Sequence, residues 1–267
     1  MTASPYAEFK ELQTAVRDQV LRITLSNPPM NGMTPAIHGE LAYIFRVANR
    51  DRSIRAVVIT GAGDRAFSAG GDINRMAAKI DDHGAWNGAM PEAREIIASI
   101  LECDKPTIAR INGHAVGLGA SIVLACDITV MVEKAKIGDT HVKVGLSAGD
   151  GGALLWPFLV GPVLARRYLL TGDLLTGAEA AAIGLITEAV PAADLDVRVD
   201  MWTERLARGA TQAISLTKRS INANIRQQAQ AYLDAHLGLE TMTHLSADHR
   251  RAAFAFRDQE EASFEGD

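Results

Sequence analysis

Only two cysteines occur in the 267 residues, and neither Cys103 nor Cys126 follows a metal-binding or redox spacing. A disulfide framework and a Cys-rich zinc module are thereby excluded. Cys126 lies in an apolar segment, which suits a buried free thiol in a reducing compartment. Long apolar runs are also missing. No segment reaches about 18 uninterrupted apolar residues, the length that would read as a membrane span. The opening MTASPYAEFKELQ lacks the apolar core of a secretory leader, so a cytoplasmic location and no membrane partner are expected. Excess charge is lacking too: 27 basic and 32 acidic residues are interspersed, giving a formal net charge of −5. No basic nucleic-acid-binding face is expected from that balance. No HExxH motif, Cys/His cluster or low-complexity linker interrupts the chain.

What is present is a globular composition, 48% apolar and 22% charged, sufficient for a sizeable core. The first elements read as a hairpin: Ala15 and Val16, the polar turn Arg17-Asp18-Gln19, then the alternating VLRITLS, stopped by Asn-Pro-Pro. TPAIHGELAYIFRVANRD carries helical apolar spacing at Ile37, Leu41, Ile44 and Phe45, with Thr34 as N-cap and Pro35 at the first helical position. AVVIT at 56–60 is short and β-branched, the pattern of a strand buried on both faces. The loop GAGDRAFSAGGDI follows, then a helix over 91–102 begun by Pro91. PTIARI is the next strand, NGHAVGLG a loop leading into the apolar helix around ASIVLAC, and DITVMVE a further strand. Each crossover has about the length of one helix, which favours parallel strands in an α/β fold. Beyond 152 come a helix with a Gly-Pro break, the short helix in LTGAEAAAIG and the strand ITEAV. From 194 onward the pattern is almost wholly helical. The expected division is a core over 1–195 and a helical region over 196–267.

Four groups of residues could carry chemistry. Gly61-Ala62-Gly63 with Ala66 follows a strand like a dinucleotide fingerprint, but FSAGGD then suits loop rather than helix. Gly145-Leu-Ser147-Ala-Gly149 has the spacing of a nucleophile elbow, with HVKV as its strand and His236, His244 or His249 as base. The glycines after Ser147 start a helix poorly, and a small loop residue fits as well. Asp139, His141 and Asp150 are the scattered oxygen and nitrogen ligands a metal would need, without a metal motif, and no metal is expected. Finally, AFSAGGD and NGHAVGLGAS each follow a buried-type strand. Two glycine-rich loops facing one another would offer backbone N–H donors to a developing oxyanion.

These last residues carry a resemblance. FSAGGDI, NGHAVGLGASIVLACDI and IGDTHVKVGLSAGDGG are similar to signature blocks of the crotonase (enoyl-CoA hydratase/isomerase) superfamily. LTGDLLTGAEAAAIGLITEAVP and the spacing of Ala255-Phe256 with Phe264-Glu265-Gly266 resemble its later segments. The resemblance implies a spiral of ββα turns with a C-terminal helical region that forms trimers or dimers of trimers. It implies an acyl-CoA thioester as substrate, coenzyme A arriving as part of it and no separate cofactor. By position, the Gly71 and Leu118 N–H groups would form an oxyanion hole. Ala69, Gly70, Asp72, Ile73 and Gly117 would line the CoA and thioester channel, with Arg65 reaching the CoA phosphates. The two glutamates of the family's hydratases align with Ser121 and His141, so the resemblance leaves His141 and Asp150 to move protons or activate water. Ser121 would then orient substrate or water. A gap-free alignment puts the family's alternative acid at Gly149, one residue before Asp150. The tail also departs from the pattern. Arg251-Ala252 stands where Glu-Gly is usual, and Glu260-Glu261 where basic residues often meet CoA. Met76, Trp86 and Met90 are expected along the acyl pocket. Hydration, isomerisation, hydrolysis, lyase chemistry and a silent CoA-binding role all stay open at this level.

Overall fold

The computed structural model describes residues 4–267; the first three residues of the stretch read for a leader lie outside the described part. Strands β1 (Leu12–Arg17) and β2 (Val20–Leu25) form the expected antiparallel hairpin, turning at Asp18 and Gln19, both at positive φ. Helix α1 (Pro35–Arg50) starts where the sequence places it. The Thr34 hydroxyl accepts from the Ile37 N–H at 3.2 Å, and Pro35 occupies a position whose N–H would have no helical partner.

A ββα unit then repeats. Strand β3 (Ala56–Gly61) joins one sheet and β4 (Ala66–Ser68) a second, followed by α2 (Ile73–Ala78) and α3 (His83–Glu102). The next turn is β5 (Thr107–Ile111), β6 (His114–Val116) and α4 (Leu118–Leu124). The third is β7 (Ile128–Val132), β8 (Lys136–Gly138), a 3-10 turn (His141–Val144) and α5 (Gly152–Thr171). After β9 (Leu175–Thr176), α6 (Gly177–Ala182) and β10 (Glu188–Val190) come three helices: α7 (Leu195–Ala207), α8 (Thr211–His244) and α9 (Ala247–Asp258). The larger sheet has the order β1-β2-β3-β5-β7-β10 and is parallel from β2 onward; the smaller runs β4-β6-β8-β9. This is the expected ββα spiral.

Strand β3 shows why the larger sheet is placed as it is. Val57 and Ile59 face the main core with Leu41, Ile44, Phe45 and Ile97, while Ala56 and Val58 face Leu195 and Val199 of α7. Both faces are covered, so the strand is apolar throughout rather than alternating.

The structure corrects three local expectations. Helix α3 begins at His83 and Pro91 lies inside it, because the Asp82 carboxylate caps the Ala85 N–H at 3.0 Å and starts the helix two turns earlier. The loops after β3 and β5 each contain a short strand, β4 and β6, too brief for periodicity to reveal. HVKV is a 3-10 turn, not a strand. Helix α5 has the length and mean hydropathy (1.3) of a membrane span, but Gly161 at φ 76 breaks it into two, matching the expected Gly-Pro break.

Candidate active site

Three loops of the spiral and one long helix converge on a cavity of about 510 Å³. Its wall includes Gly71, Leu118, His141, Asp150 and Glu240. The loop after β4 enters at Gly70, whose φ of +79 suits glycine, and a Cβ there would stand 2.7 Å from the Val116 carbonyl oxygen. That close approach brings the β4 and β6 loops together. A Cβ on Gly70 would lie 3.4 Å from the Leu118 nitrogen. Leu118 is the first residue of α4, and among the described residues neither its N–H nor that of Gly71 has an acceptor.

The loop after β8 supplies the ionisable groups. The Asp139 carboxylate contacts His141 Nδ1 at 2.6 Å and accepts from the His141 backbone N–H at 3.1 Å. This fixes the ring so that Nε2 faces two further carboxyls, Asp150 Oδ2 at 3.4 Å and Glu240 Oε1 at 4.0 Å. Asp139, Asp150 and Glu240 are all buried. Burial opposes charge on His141, but the Asp139 and Asp150 carboxylates outweigh it and hold the imidazole well above its usual range. Burial likewise pushes Asp139 up, and the His141 charge and hydrogen bonds bring it below the usual carboxylate range. For Glu240, burial and then the charge of Asp150 push upward, outweighing the His141 charge and the Asp150 backbone N–H, and carry it up to about 8. Along this row the contacts favour the charged forms of Asp139 and His141, and burial favours the protonated form of Glu240. Although Asp139, His141 and Asp150 gather three donor atoms within 4.8 Å, the ring lies between its carboxylates with one nitrogen turned to each. That is hydrogen-bonded pairing rather than a ligand set converging on one ion.

The positions singled out in the sequence separate into groups. Gly71, Asp72, Leu118, His141 and Asp150 meet at the cavity wall. Ser121 does not reach it. Its buried hydroxyl donates to Asp150 Oδ1 at 3.2 Å, orienting that carboxylate from behind. Gly70 and Gly117 shape the loops beneath the wall, and a Cβ on Gly117 would touch His141 Cε1 at 3.6 Å. Ala69 and Ile73 flank Gly71 without lining the cavity. Arg65 is exposed on the β3–β4 turn, and its carbonyl accepts from the His114 N–H. Met76, Trp86 and Met90 line the cavity as the acyl-pocket reading expects. The Trp86 ring stacks on His244 at 3.8 Å, and its Nε1–H donates to Thr241 Oγ1.

Ser147 is not a nucleophile elbow. Its N–H donates to Thr243 Oγ1, its buried hydroxyl has no partner among the described residues, and it lies off the cavity wall. Gly151, next to Asp150, holds the N-cap position of α5 without a side-chain bond. Glu240 escaped the sequence reading, being ninety residues from Asp150. One signal marks it: on α8 the buried stripe Ile225, Ala229, Leu233, Leu237, Glu240, His244 places an acid at an apolar position.

Comparison with known proteins is consistent across this chain. The enoyl-CoA hydratase/isomerase family model matches residues 15–267. The 2,3-dehydroadipyl-CoA hydratase of Escherichia coli (strain K12) is 30% identical over 260 residues, covering 97% of this chain and 100% of the relative. The 1,2-epoxyphenylacetyl-CoA isomerase of the same organism is 30% identical over 256 residues, covering 94% and 97%. Among solved structures, an enoyl-CoA hydratase/isomerase from Mycobacterium paratuberculosis superposes with a TM-score of 0.87 at 33% identity, covering 91% of this chain and 97% of that one.

Proposed function

The chain belongs to the enoyl-CoA hydratase/isomerase family of acyl-CoA enzymes, and on that premise we propose that it stabilises a thioester enolate between the Gly71 and Leu118 N–H groups, with Asp150 as base. The observation that carries this reading is the juxtaposition, on one cavity wall, of His141 and Asp150 with two backbone N–H groups that have no acceptor among the described residues, Asp139 holding the ring from behind. In the step this supports, the C–H bond next to the thioester breaks and its proton passes to Asp150. The electron pair moves onto the thioester oxygen, where two preorganised donors are worth most in a site that excludes water. Asp139 holds the His141 ring so that its Nε2–H stays turned toward Asp150, and the Ser121 hydroxyl fixes the other carboxylate oxygen. Water addition by two glutamates has no counterpart at the aligned positions, which hold Ser121 and His141. Isomerisation fits better, and the relatives include both a hydratase and an isomerase.

Coenzyme A enters as part of the substrate, and this chemistry calls for no resident cofactor. Self-association as a trimer or a dimer of trimers is part of the same reading, supported by the exposed Phe158, Leu159, Val163 and Leu170 on α5. A cytoplasmic location fits acyl-CoA as substrate.

A panel of straight-chain, branched and aryl acyl-CoA thioesters in deuterium oxide and in heavy-oxygen water tests the assignment by mass spectrometry. Deuterium entering next to the thioester is the expected result, without net oxygen uptake. Asp150→Asn should slow it by about 10²–10⁴-fold, the usual range for a positioned acid or base. If Asp150→Asn and His141→Ala both turn over CoA substrates like the parent, the assignment is wrong.

A further inference from the structure

We propose that Glu240 is the proton-returning acid of this site, paired with Asp150 across His141 so that one carboxyl takes a proton from the acyl chain and the other gives one back. The inference rests on the enolate reading above. Glu240 comes from α8, far along the chain from the signature loops, yet its side chain is 3% exposed and part of the cavity wall. Its Oε1 lies 4.0 Å from the same His141 Nε2 that faces Asp150, and its buried Oε2 has no hydrogen-bond partner among the described residues. A carboxyl group left in that state beside other acids serves no packing purpose that an apolar residue would not serve better. The loop is built to reach it: a Cβ on Gly149 would stand 2.4 Å from the His236 carbonyl and 2.8 Å from Glu240, so only glycine lets the Asp150 loop lie against α8.

The charged and titratable groups around Glu240 set its state. The β8 loop presents Asp139, His141 and Asp150. Its own helix presents His236 and His244 one turn away on either side, while His249 of α9 and His83 of α3 pack against His244. Burial pushes His244 down to about 4 and also lowers His236 and His249, so these three rings are neutral. His141 faces three carboxyls, its contacts with Asp139 and Asp150 favour its charged form, and burial favours the protonated form of Glu240.

The balanced step for an unsaturated acyl chain follows. Asp150 takes the proton next to the thioester, and the electron pair spreads from that carbon to the thioester oxygen and along the double bond. The Glu240 O–H bond breaks, its proton bonds to the far carbon, and the pair returns to close the new C–H bond. Asp150 is then neutral and Glu240 charged. His141 passes its Nε2 proton to Glu240 and accepts the one on Asp150, restoring the start without oxidant, reductant or water.

Two measurements test this. In the wild-type protein labelled with carbon-13 at the glutamate carboxyls, one glutamate should titrate near pH 8 in NMR, and that signal should be missing from Glu240→Gln. Absence of such a carboxyl in the wild type overturns the proposal and needs no variant to fold. The second measurement uses 3-enoyl-CoA thioesters in deuterium oxide. Glu240→Gln should retain exchange next to the thioester, which needs only Asp150, while isomer formation falls by about 10²-fold with KM within about threefold. Glu240→Asp, which keeps an acid, should recover part of the loss. Isomer formation at the wild-type rate in Glu240→Gln refutes Glu240 alone. Absence of exchange in the wild type refutes the enolate reading beneath it.

Discussion

Replacing Asp139 with Asn removes one charge from the buried row while keeping its shape, so the consequences can be worked from geometry. The carboxylate contacts His141 Nδ1 at 2.6 Å, and both groups are largely shielded from water. Opposite charges about 4 Å apart are worth roughly 4 kcal/mol at an effective dielectric constant of about 20. Removing one partner of a buried pair typically costs about 3–5 kcal/mol. The two figures agree, and for a chain of this size they correspond to a Tm lower by about 6–20 °C. The loss should depend on pH in a defined direction. The folded-state pKa of His141 is raised, so its contribution is complete below the unfolded value of about 6.5 and is lost as pH rises through the folded value. The folded-state pKa of Asp139 is depressed, so its contribution is present above the unfolded value of about 3.9 and is lost as pH falls through the folded value. The pair is charged between those limits, and the penalty of Asp139→Asn should be largest there and shrink as wild-type His141 deprotonates. Urea unfolding at a series of pH values measures the penalty, and the His141 ring proton signals follow its titration. In the variant, that titration should move down in pH. A penalty flat across the range, with His141 titrating as in the wild type, would refute the ion-pair argument.

Other outcomes follow from the same wall. Ser121→Ala deletes the 3.2 Å bond to Asp150 Oδ1, and a hydrogen bond to a charged group is worth about 1.5–3 kcal/mol. Activity on acyl-CoA should fall by about tenfold or more with KM little changed, and the pH–rate profile should shift, as a purely structural serine would not allow. Gly149→Ala should separate the Asp150 loop from α8, because the added methyl overlaps the His236 carbonyl and the Glu240 side chain. An overpacking loss of about 1–3 kcal/mol in urea unfolding, together with loss of the glutamate signal titrating near 8, is the expected result.

The outer architecture was legible because its signals are local. Hydrophobic spacing and the Thr34-Pro35 cap placed α1, the apolar run placed β3, and the Gly161-Pro162 break placed the kink in α5. Misreadings arose where a neighbour rather than the sequence pattern decided the outcome. Pro91 reads as a helix start, yet the Asp82 cap and packing on α1 carry the helix through it. Ser147 matches a hydrolase motif, yet the turn before it is 3-10 and its amide is held by Thr243.

By itself the sequence determined β3, β5, β7 and the helices between them, the glycine loops that hold Gly71 and Leu118, and the placing of His141 and Asp150 in one loop, but not the short strands β4 and β6 that make each turn ββα. Each feature it determined depends on residues a few positions apart. Only the tertiary structure decided which ionisable groups meet. Asp139 turned from a candidate ligand into the anchor of the His141 ring, and Ser121 moved behind Asp150. Glu240 arrived from α8 to within 4.0 Å of Nε2. Protonation in a buried site depends on distance and desolvation among groups separated along the chain, and neither exists until the chain has folded.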